Sequence, residues 1–300
     1  MKVAAKVYHL ANRALDRVGL TLVSASRDFD CRLTDEESER RVTEGLAKLV
    51  NEWLERQTLF EVRAFVTGDD AHRFYRAYLA SPFRSRFGGS RFNNLFALYA
   101  VAKAYDPEII LDSGTYEGAS AWALRSGCPS ANLLSFDIDL KRLLQRSEGV
   151  TYVERDWAEY IRPGDPLTKK KILAYFDDHV DQARRLLEAG ERSVEVAIFD
   201  DDFPVTSFAE MAHGGAALPK IEFVLDDDLR SADVLRWTAN GRDHEWMVDA
   251  AYLDRARAAI LDTDRMPQTA FVTGIHQTPY RVVRLRSASP TPAPFPALSE

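Results

Sequence analysis

Carboxylates recur where short apolar runs of this chain end. Asp112 closes EIILDSG, Asp137 and Asp139 close NLLSFDID, and Asp156 follows VTYVER. Asp200, Asp201 and Asp202 follow VEVAIF, and Asp226, Asp227 and Asp228 follow IEFVL. Asp112 also opens a glycine turn, Asp112-Ser113-Gly114-Thr115-Tyr116-Glu117-Gly118, with Ser120 just beyond. In a Gly-x-Gly-x-x-Gly turn the backbone comes close enough to hold a pyrophosphate. Here Tyr116 replaces the middle glycine, and a carboxylate at Asp112 would repel phosphate. Two unit charges about 4 Å apart interact by about 4 kcal/mol at an effective dielectric of ~20. The turn is therefore expected to receive a cation, with Asp112 as the attracting charge.

S-adenosylmethionine (SAM) suits such a turn: it carries an ammonium, a sulfonium and a ribose, and no phosphate. Asp137 lies 19 residues beyond Gly118, close to the ~20-residue offset at which an acid meets ribose hydroxyls. Asp156 is a candidate for the adenine amino group. Trp157 beside it either covers the ring or packs in the core. Gly114, Thr115, Tyr116, Glu117, Gly118, Ser120, Asp139 and Asp200 complete the expected cofactor set.

The two triple-aspartate clusters place six carboxylates at what read as neighbouring strand ends. Oxygen-only clusters suit Mg²⁺; alternatively they form an exposed acidic rim, with Asp202 and Asp226 as helix caps. Chemistry at such a site also calls for a proton acceptor. His276, read as lying in the turn after the sixth strand, is the first candidate and His244 the second. His179, read on a helix, and His213, at a helix end beside Gly214, are read as structural.

These residues need a scaffold. From Pro107 the pattern alternates strand and helix: EIILDSG, NLLSFDID, VTYVERD, VEVAIFDDD, IEFVLDDD, TAFVTG and YRVVRLRS as strands. Continuous short apolar runs mark parallel strands buried on both faces. The five residues IHQTP cannot make a parallel crossover, so the last two strands form an antiparallel hairpin. Asp165-Pro166 reads as the start of a long helix with Ile172, Leu173, Phe176, Val180, Ala183 and Leu187 on its buried stripe. The fold class is therefore α/β: a Rossmann-like, doubly wound seven-stranded sheet with a helical N-terminal region. The division is 1-90 for the helices, 91-288 for the sheet domain and 289-300 for a proline-rich mobile tail. In the first part, Thr34 and Glu37 read as a capping box ahead of a face formed by Val42, Leu46, Leu49, Val50, Trp53 and Leu54. FRSRFGGSRF, with Arg84, Arg86 and Arg91, reads as a solvated linker or a lid.

Composition narrows the partners. The 300 residues are 46% hydrophobic and 28% charged, with a net charge of -7 and an isoelectric point near 5.5. No basic field favours nucleic acid. No apolar run reaches the length of a membrane span, and the N-terminus lacks a signal-peptide core. The N-terminal amphipathic helix could pack on the domain, pair subunits into a homodimer, or lie on a membrane surface. Cys31 and Cys128 make no metal or redox spacing, which fits a cytoplasmic protein.

Between Phe92 and Ser287 the chain resembles the class I SAM-dependent methyltransferases. Asp112-x-Gly114-x-x-x-Gly118 stands at that family's glycine motif, Asp137 at its ribose acid and Asp156 at its adenine-side acid. FDDDFPVTSFAEMA…GG…IEFVLDDDL further resembles the metal-dependent sugar O-methyltransferases related to macrocin O-methyltransferase, and the similar cephalosporin hydroxylase-type proteins. That resemblance implies Mg²⁺ held by Asp200, Asp227 and Asp228, and a hydroxyl of a sugar or natural product as acceptor. Phe203-Pro204 and the displaced Gly214-Gly215 pair depart from its pattern. The competing readings are an NAD(P)-dependent or other nucleotide-dependent enzyme, and a non-catalytic protein that keeps the fold for binding.

Overall fold

The computed structural model describes residues 35–85, 90–207, 218–239 and 242–286, together with 11, 14, 15 and 33. Thr34, Arg86, His213, the Gly214-Gly215 pair, Cys31 and the proline-rich tail lie outside the described residues.

Among the described residues, nine strands form two sheets. Five are parallel neighbours: β1 (Ile109–Ser113), β2 (Asn132–Asp137), β3 (Val150–Glu154), β4 (Ile172–Phe176) and β5 (Val196–Phe199). β9 (Arg281–Leu285) runs antiparallel between β5 and β8 (Ile260–Arg265). The order is β3-β2-β1-β4-β5-β9-β8. This is the expected Rossmann-like α/β sheet, with seven strands and an antiparallel final strand. The central strands β1 and β4 are buried at every position, as parallel strands covered on both faces should be.

Three strands differ from the sequence reading. Ile172–Phe176 is β4, not part of a helix; Pro166–Lys169 makes one short 3₁₀ turn, and helix α6 begins only at Gln182 (Gln182–Glu191). Ile221–Leu225 is not a strand but the short helix α7. TAFVTG contains the one-turn helix α9 (Ala270–Thr273), closed by Gly274 at φ 69°. The antiparallel partner of β9 is instead β8, which follows helix α8 (Ala250–Ala259) directly. A hairpin of β6 (Val234–Ala239) and β7 (Arg242–Met247) forms the separate second sheet.

One physical fact accounts for these differences. A five-residue apolar run fits a strand or a buried helix turn equally well, and neighbours decide. Ile172–Phe176 has β1 on one side and β5 on the other to complete its hydrogen bonds. Ile221–Leu225 has no such vacancy, because the second edge of β5 is taken by β9.

Helices cover the sheet. α3 (Phe92–Tyr105) is buried along almost its whole length and packs on α4 (Ala119–Gly127). α1 (Glu36–Leu54) and α2 (Gly68–Ala80) join the same apolar cluster as Ile110, Leu133 and Leu173. The N-cap of α1 is Asp35, which accepts from the Ser38 amide at 2.8 Å. A capping box of Thr67 and Asp70 starts α2. Rings of Phe74, Phe92, Phe96, Tyr99 and Trp122 bind α2 to α3 and α4. The sheet exits, where β1, β2, β4 and β5 end, are thus held on a rigid base.

Candidate functional site

A cavity of about 600 Å³ opens at the carboxyl ends of the parallel strands. That is where doubly wound sheets bind ligands, and the volume lies within the ~300–1,000 Å³ usual for small-molecule sites. Ser113, Gly114, Thr115, Tyr116, Glu117 and Ser120 line it from the glycine turn, and Phe136, Asp137 and Ile138 from the end of β2.

The turn is shaped by close packing. Gly114 sits at φ 103°, and a Cβ there would lie 2.5 Å from the backbone oxygen of Asp177, which leaves β4. Only glycine lets β1 and β4 exits approach so closely. Gly118, at φ 93°, caps α4; a Cβ there would meet Leu143 at 2.7 Å. It supports the turn without lining the cavity.

The structure corrects the role expected of Asp112. This residue is fully buried beneath the turn and does not line the cavity. Ser135 Oγ lies 2.6 Å from Asp112 Oδ2, and Thr115 Oγ1 2.6 Å from Ser135 Oγ, while Asp112 Oδ1 has no hydrogen-bond partner. Burial pushes its pKa up to about 7, against the Ser135 hydrogen bond that pulls it down. A strand alternates its faces, so the residue that opens the glycine motif points under the turn and Ser113 faces the cavity.

Asp137 lines the cavity at the end of β2. Its Oδ2 accepts from the Tyr116 amide at 2.8 Å and Oδ1 from the Asp139 amide at 3.1 Å, so the carboxylate is fixed at the cavity wall. Next to it, Ile138 is 81% exposed and continues an apolar lining that includes Phe83, Ala119, Phe136 and Val180. Asp139 does not reach the cavity and caps a 3₁₀ turn instead. Asp156 lines the cavity but is committed: Arg185 grips it from two nitrogens, at 3.1 and 2.6 Å. Burial works upward on Asp156, yet these bonds hold its pKa below the ordinary value. Trp157 opens the short helix α5 (Trp157–Tyr160) and is fully buried against Phe176 and Arg192, so it is core packing.

The residues missed by sequence follow β4. Asp177, Asp178 and His179 all line the cavity, and Asp177 and Asp178 are pushed up in pKa first by burial. Asp178 accepts from Ser113 Oγ at 2.5 Å and Arg185 Nε at 2.8 Å. His179 Nε2 lies 3.8 Å from Asp177 Oδ1. The signal was ILAYF-DDH, the same apolar run and acidic exit as IIL-DSG, hidden because Ile172 and Phe176 also fit a helical stripe.

Asp200 forms the floor with Asp177. Tyr175 Oη lies 3.3 Å from Asp177 Oδ2, 3.2 Å from Asp200 Oδ2 and 2.9 Å from Tyr280 Oη. Thr278 donates to Asp200 Oδ1 at 2.6 Å and is itself held by Asn94 on α3. Burial, then Asp201, raises the Asp200 pKa. His276 lines the cavity from the long connection between α9 and β9, rather than from a strand exit. His244 does not: it lies on β7 with its ring stacked on Trp237 at 5.4 Å.

The expected metal set is not assembled. Asp227 is an exposed residue beyond α7, 3.2 Å from Arg257, and neither it nor Asp228 lines the cavity with Asp200. The exits of β4 and β5 carry Asp177 and the pair Asp200 and Asp201. Among the described residues no group of three or more His, Cys, Asp or Glu could hold a metal ion. One oxygen of Asp200 already receives both Thr278 and the Asp201 amide. These residues do not fit Mg²⁺. They do fit a cationic organic ligand: seven carboxylate residues and three arginines line the cavity, and one of the three, Arg185, is bound to carboxylates.

No protein-family model matches the chain, and no curated protein is a significant match. Among solved structures, cmcI with Mg and SAM is 20% identical over 40% of this chain and 59% of its own, with a TM-score of 0.31. Human N-acetylserotonin methyltransferase with SAM is 12% identical over 71% of this chain and 55% of its own, with a TM-score of 0.38. The O-methyltransferase TomG of Streptomyces achromogenes, involved in tomaymycin synthesis and solved with SAM, is 15% identical over 81% and 98%, with a TM-score of 0.38. The chain spans 59% and 55% of the first two. At such scores the likeness carries no argument about chemistry, which rests on the cavity itself. Among the described residues, no helix is long and apolar enough to cross a membrane.

Proposed function

We propose that the protein is a SAM-dependent methyltransferase that acts on a hydroxyl of a small molecule, a sugar or natural product being the class in view. The observation that carries this reading is the acidic cavity built around a glycine turn, with Asp137 fixed at its wall and the apolar Ile138 beside it. A ribose fits Asp137, and an adenine face fits Ile138 and Phe136. A positively charged amino-acid end suits the carboxylates near Ser113 and Asp178. A pyrophosphate finds an excess of like charge there.

Bound SAM would supply an activated methyl group for in-line displacement by an acceptor oxygen. The chain's part is to hold that oxygen, exclude water and take its proton. His276 remains the first candidate for the proton. It lies at the cavity two residues from Thr278, whose hydroxyl is bonded to Asp200. His179, oriented towards Asp177, is the second, in place of His244.

Calorimetric titration with SAM, followed by a screen of hydroxylated acceptors for S-adenosylhomocysteine release, tests the reading. Saturable SAM binding and release that falls at least tenfold in His276→Ala or His179→Ala, with SAM affinity unchanged, are expected. A protein that binds NAD and not SAM would overturn it.

A further inference from the structure

We propose that Arg185 is a positioning residue for the cofactor: one buried cation that fixes both Asp156, on the adenine side, and Asp178, on the amino-acid side. The inference rests on the SAM reading above and deepens it. Arg185 stands on α6, is 2% exposed and lines the cavity. Its Nη1 and Nη2 donate to Asp156 Oδ1 and Oδ2 at 3.1 and 2.6 Å, and its Nε to Asp178 Oδ2 at 2.8 Å. Nη1 also donates to Glu188 at 2.7 Å. Asp156 follows β3, and Asp178 follows β4 and accepts from Ser113 Oγ at the end of β1 at 2.5 Å. A single side chain thus ties together the exits of three parallel strands.

Only a guanidinium can do this, because its donors form a rigid planar fork, whereas an ammonium is a point charge. The hydrogen-bond count shows what the clamp leaves over. A carboxylate offers about four lone-pair sites. Asp156 Oδ1 takes Arg185 and the Ala158 amide at 2.8 Å, and Oδ2 takes Arg185 alone. Asp178 Oδ2 takes Ser113 and Arg185, and Oδ1 takes the Val180 amide at 3.3 Å. Each carboxylate therefore keeps one open acceptor, on a side chain that can no longer turn: one for an adenine N–H, one for an ammonium N–H. The charges agree. Glu188 does not line the cavity and is also paired with Arg184 at 2.7 Å, so Arg185 stands against Asp156 and Asp178 and leaves one net negative charge to meet a cationic ligand. Without it, neighbouring carboxylates would lie buried and uncompensated, which is costly.

The test titrates the full chain, well below its melting transition, with SAM and with 5′-methylthioadenosine, which keeps the adenine and ribose and lacks the amino-acid end. Arg185→Lys retains the charge and loses the fork; it should weaken SAM by roughly tenfold or more, and 5′-methylthioadenosine measurably. Ser113→Ala should weaken SAM and leave 5′-methylthioadenosine unchanged. Because both substitutions act on the amino-acid end through Asp178, the double variant should lose less SAM affinity than the product of the two single losses. A merely structural Arg185 would lower the melting temperature and leave both affinities of the folded protein as in the wild type, and that result overturns the proposal, as do independent losses in the double variant. Should the Lys variant fail to fold, Ser113→Ala decides: equal loss for both ligands, or none for SAM, removes the amino-acid arm and the proposal with it. Wild-type protein that binds no SAM removes the transferase reading and this inference together; wild-type protein that binds SAM, with a Lys variant that binds it equally well, removes the inference alone.

Discussion

At the scale of single residues, Asp112 and Asp137 show how two similar carboxylates acquire different roles. Asp112 has a folded pKa of about 7 against an ordinary value of 3.8, because burial penalises its charge. A raised carboxyl pKa means that the folded state holds the proton more tightly than the unfolded one. Stability therefore falls as pH rises between the two values, and the full penalty, roughly 4 kcal/mol, is present above the upper one. Asp112→Asn should remove this slope: its stability relative to wild type should climb from pH 4 to pH 7 in urea unfolding, whereas parallel curves would show that Asp112 is not the group. Asp137 is instead partly exposed and held by two amides. Charge-assisted bonds of this type are worth about 1.5–3 kcal/mol. Asp137→Ala should therefore weaken SAM binding by roughly 10- to 100-fold, with unchanged calorimetric affinity counting against the ribose role.

At the scale of elements, the question is which apolar runs are strands. β4 has a hydrogen-bonded neighbour on each side and is buried throughout. The β6–β7 hairpin pairs only with itself, and most of its described residues are at least partly exposed. Local opening follows such differences. Amides of Leu173 to Phe176 should exchange with deuterium at the rate set by global unfolding, and those of Leu235 to Trp246 far sooner. Fast exchange over Leu173 to Phe176 would mean that the segment is not the central strand, and the placement of Asp177, Asp178 and His179 would go with it. The glycine turn was legible from sequence because glycine and acid types at fixed spacing leave few alternatives. The β4 exit was not, because Ile172, Leu173 and Phe176 satisfy a helical period and a strand equally, and local pattern holds no information about a free sheet edge.

At the scale of the whole molecule, charge is distributed unevenly. The chain carries -7 overall, and its cavity concentrates carboxylates against few arginines. Low-dielectric walls focus such a field. SAM affinity should fall as NaCl is raised from low to near-molar concentration, as expected when salt screens attraction. NADH, doubly anionic at its pyrophosphate, should show no saturable binding at low salt. A SAM affinity indifferent to salt would mean that the acidic lining does not face the ligand's charge. The helical region contributes here too, since Phe83, Ser90 and Arg91 line the same cavity and Asn94 of α3 holds Thr278 beside Asp200.

Sequence by itself determined the α/β class, five of the seven strands of the main sheet and the glycine turn. All of these follow from local composition and spacing. Tertiary structure alone decided that Ile172–Phe176 is the fourth strand, that Asp112 lies beneath the turn, that Asp227 and Asp228 stand apart from Asp200, and that Arg185 joins Asp156 to Asp178. Each of those depends on which face or edge another element occupies, and contacts between residues far apart in the chain are set by competition for sheet edges and buried volume, which no short window of residues records.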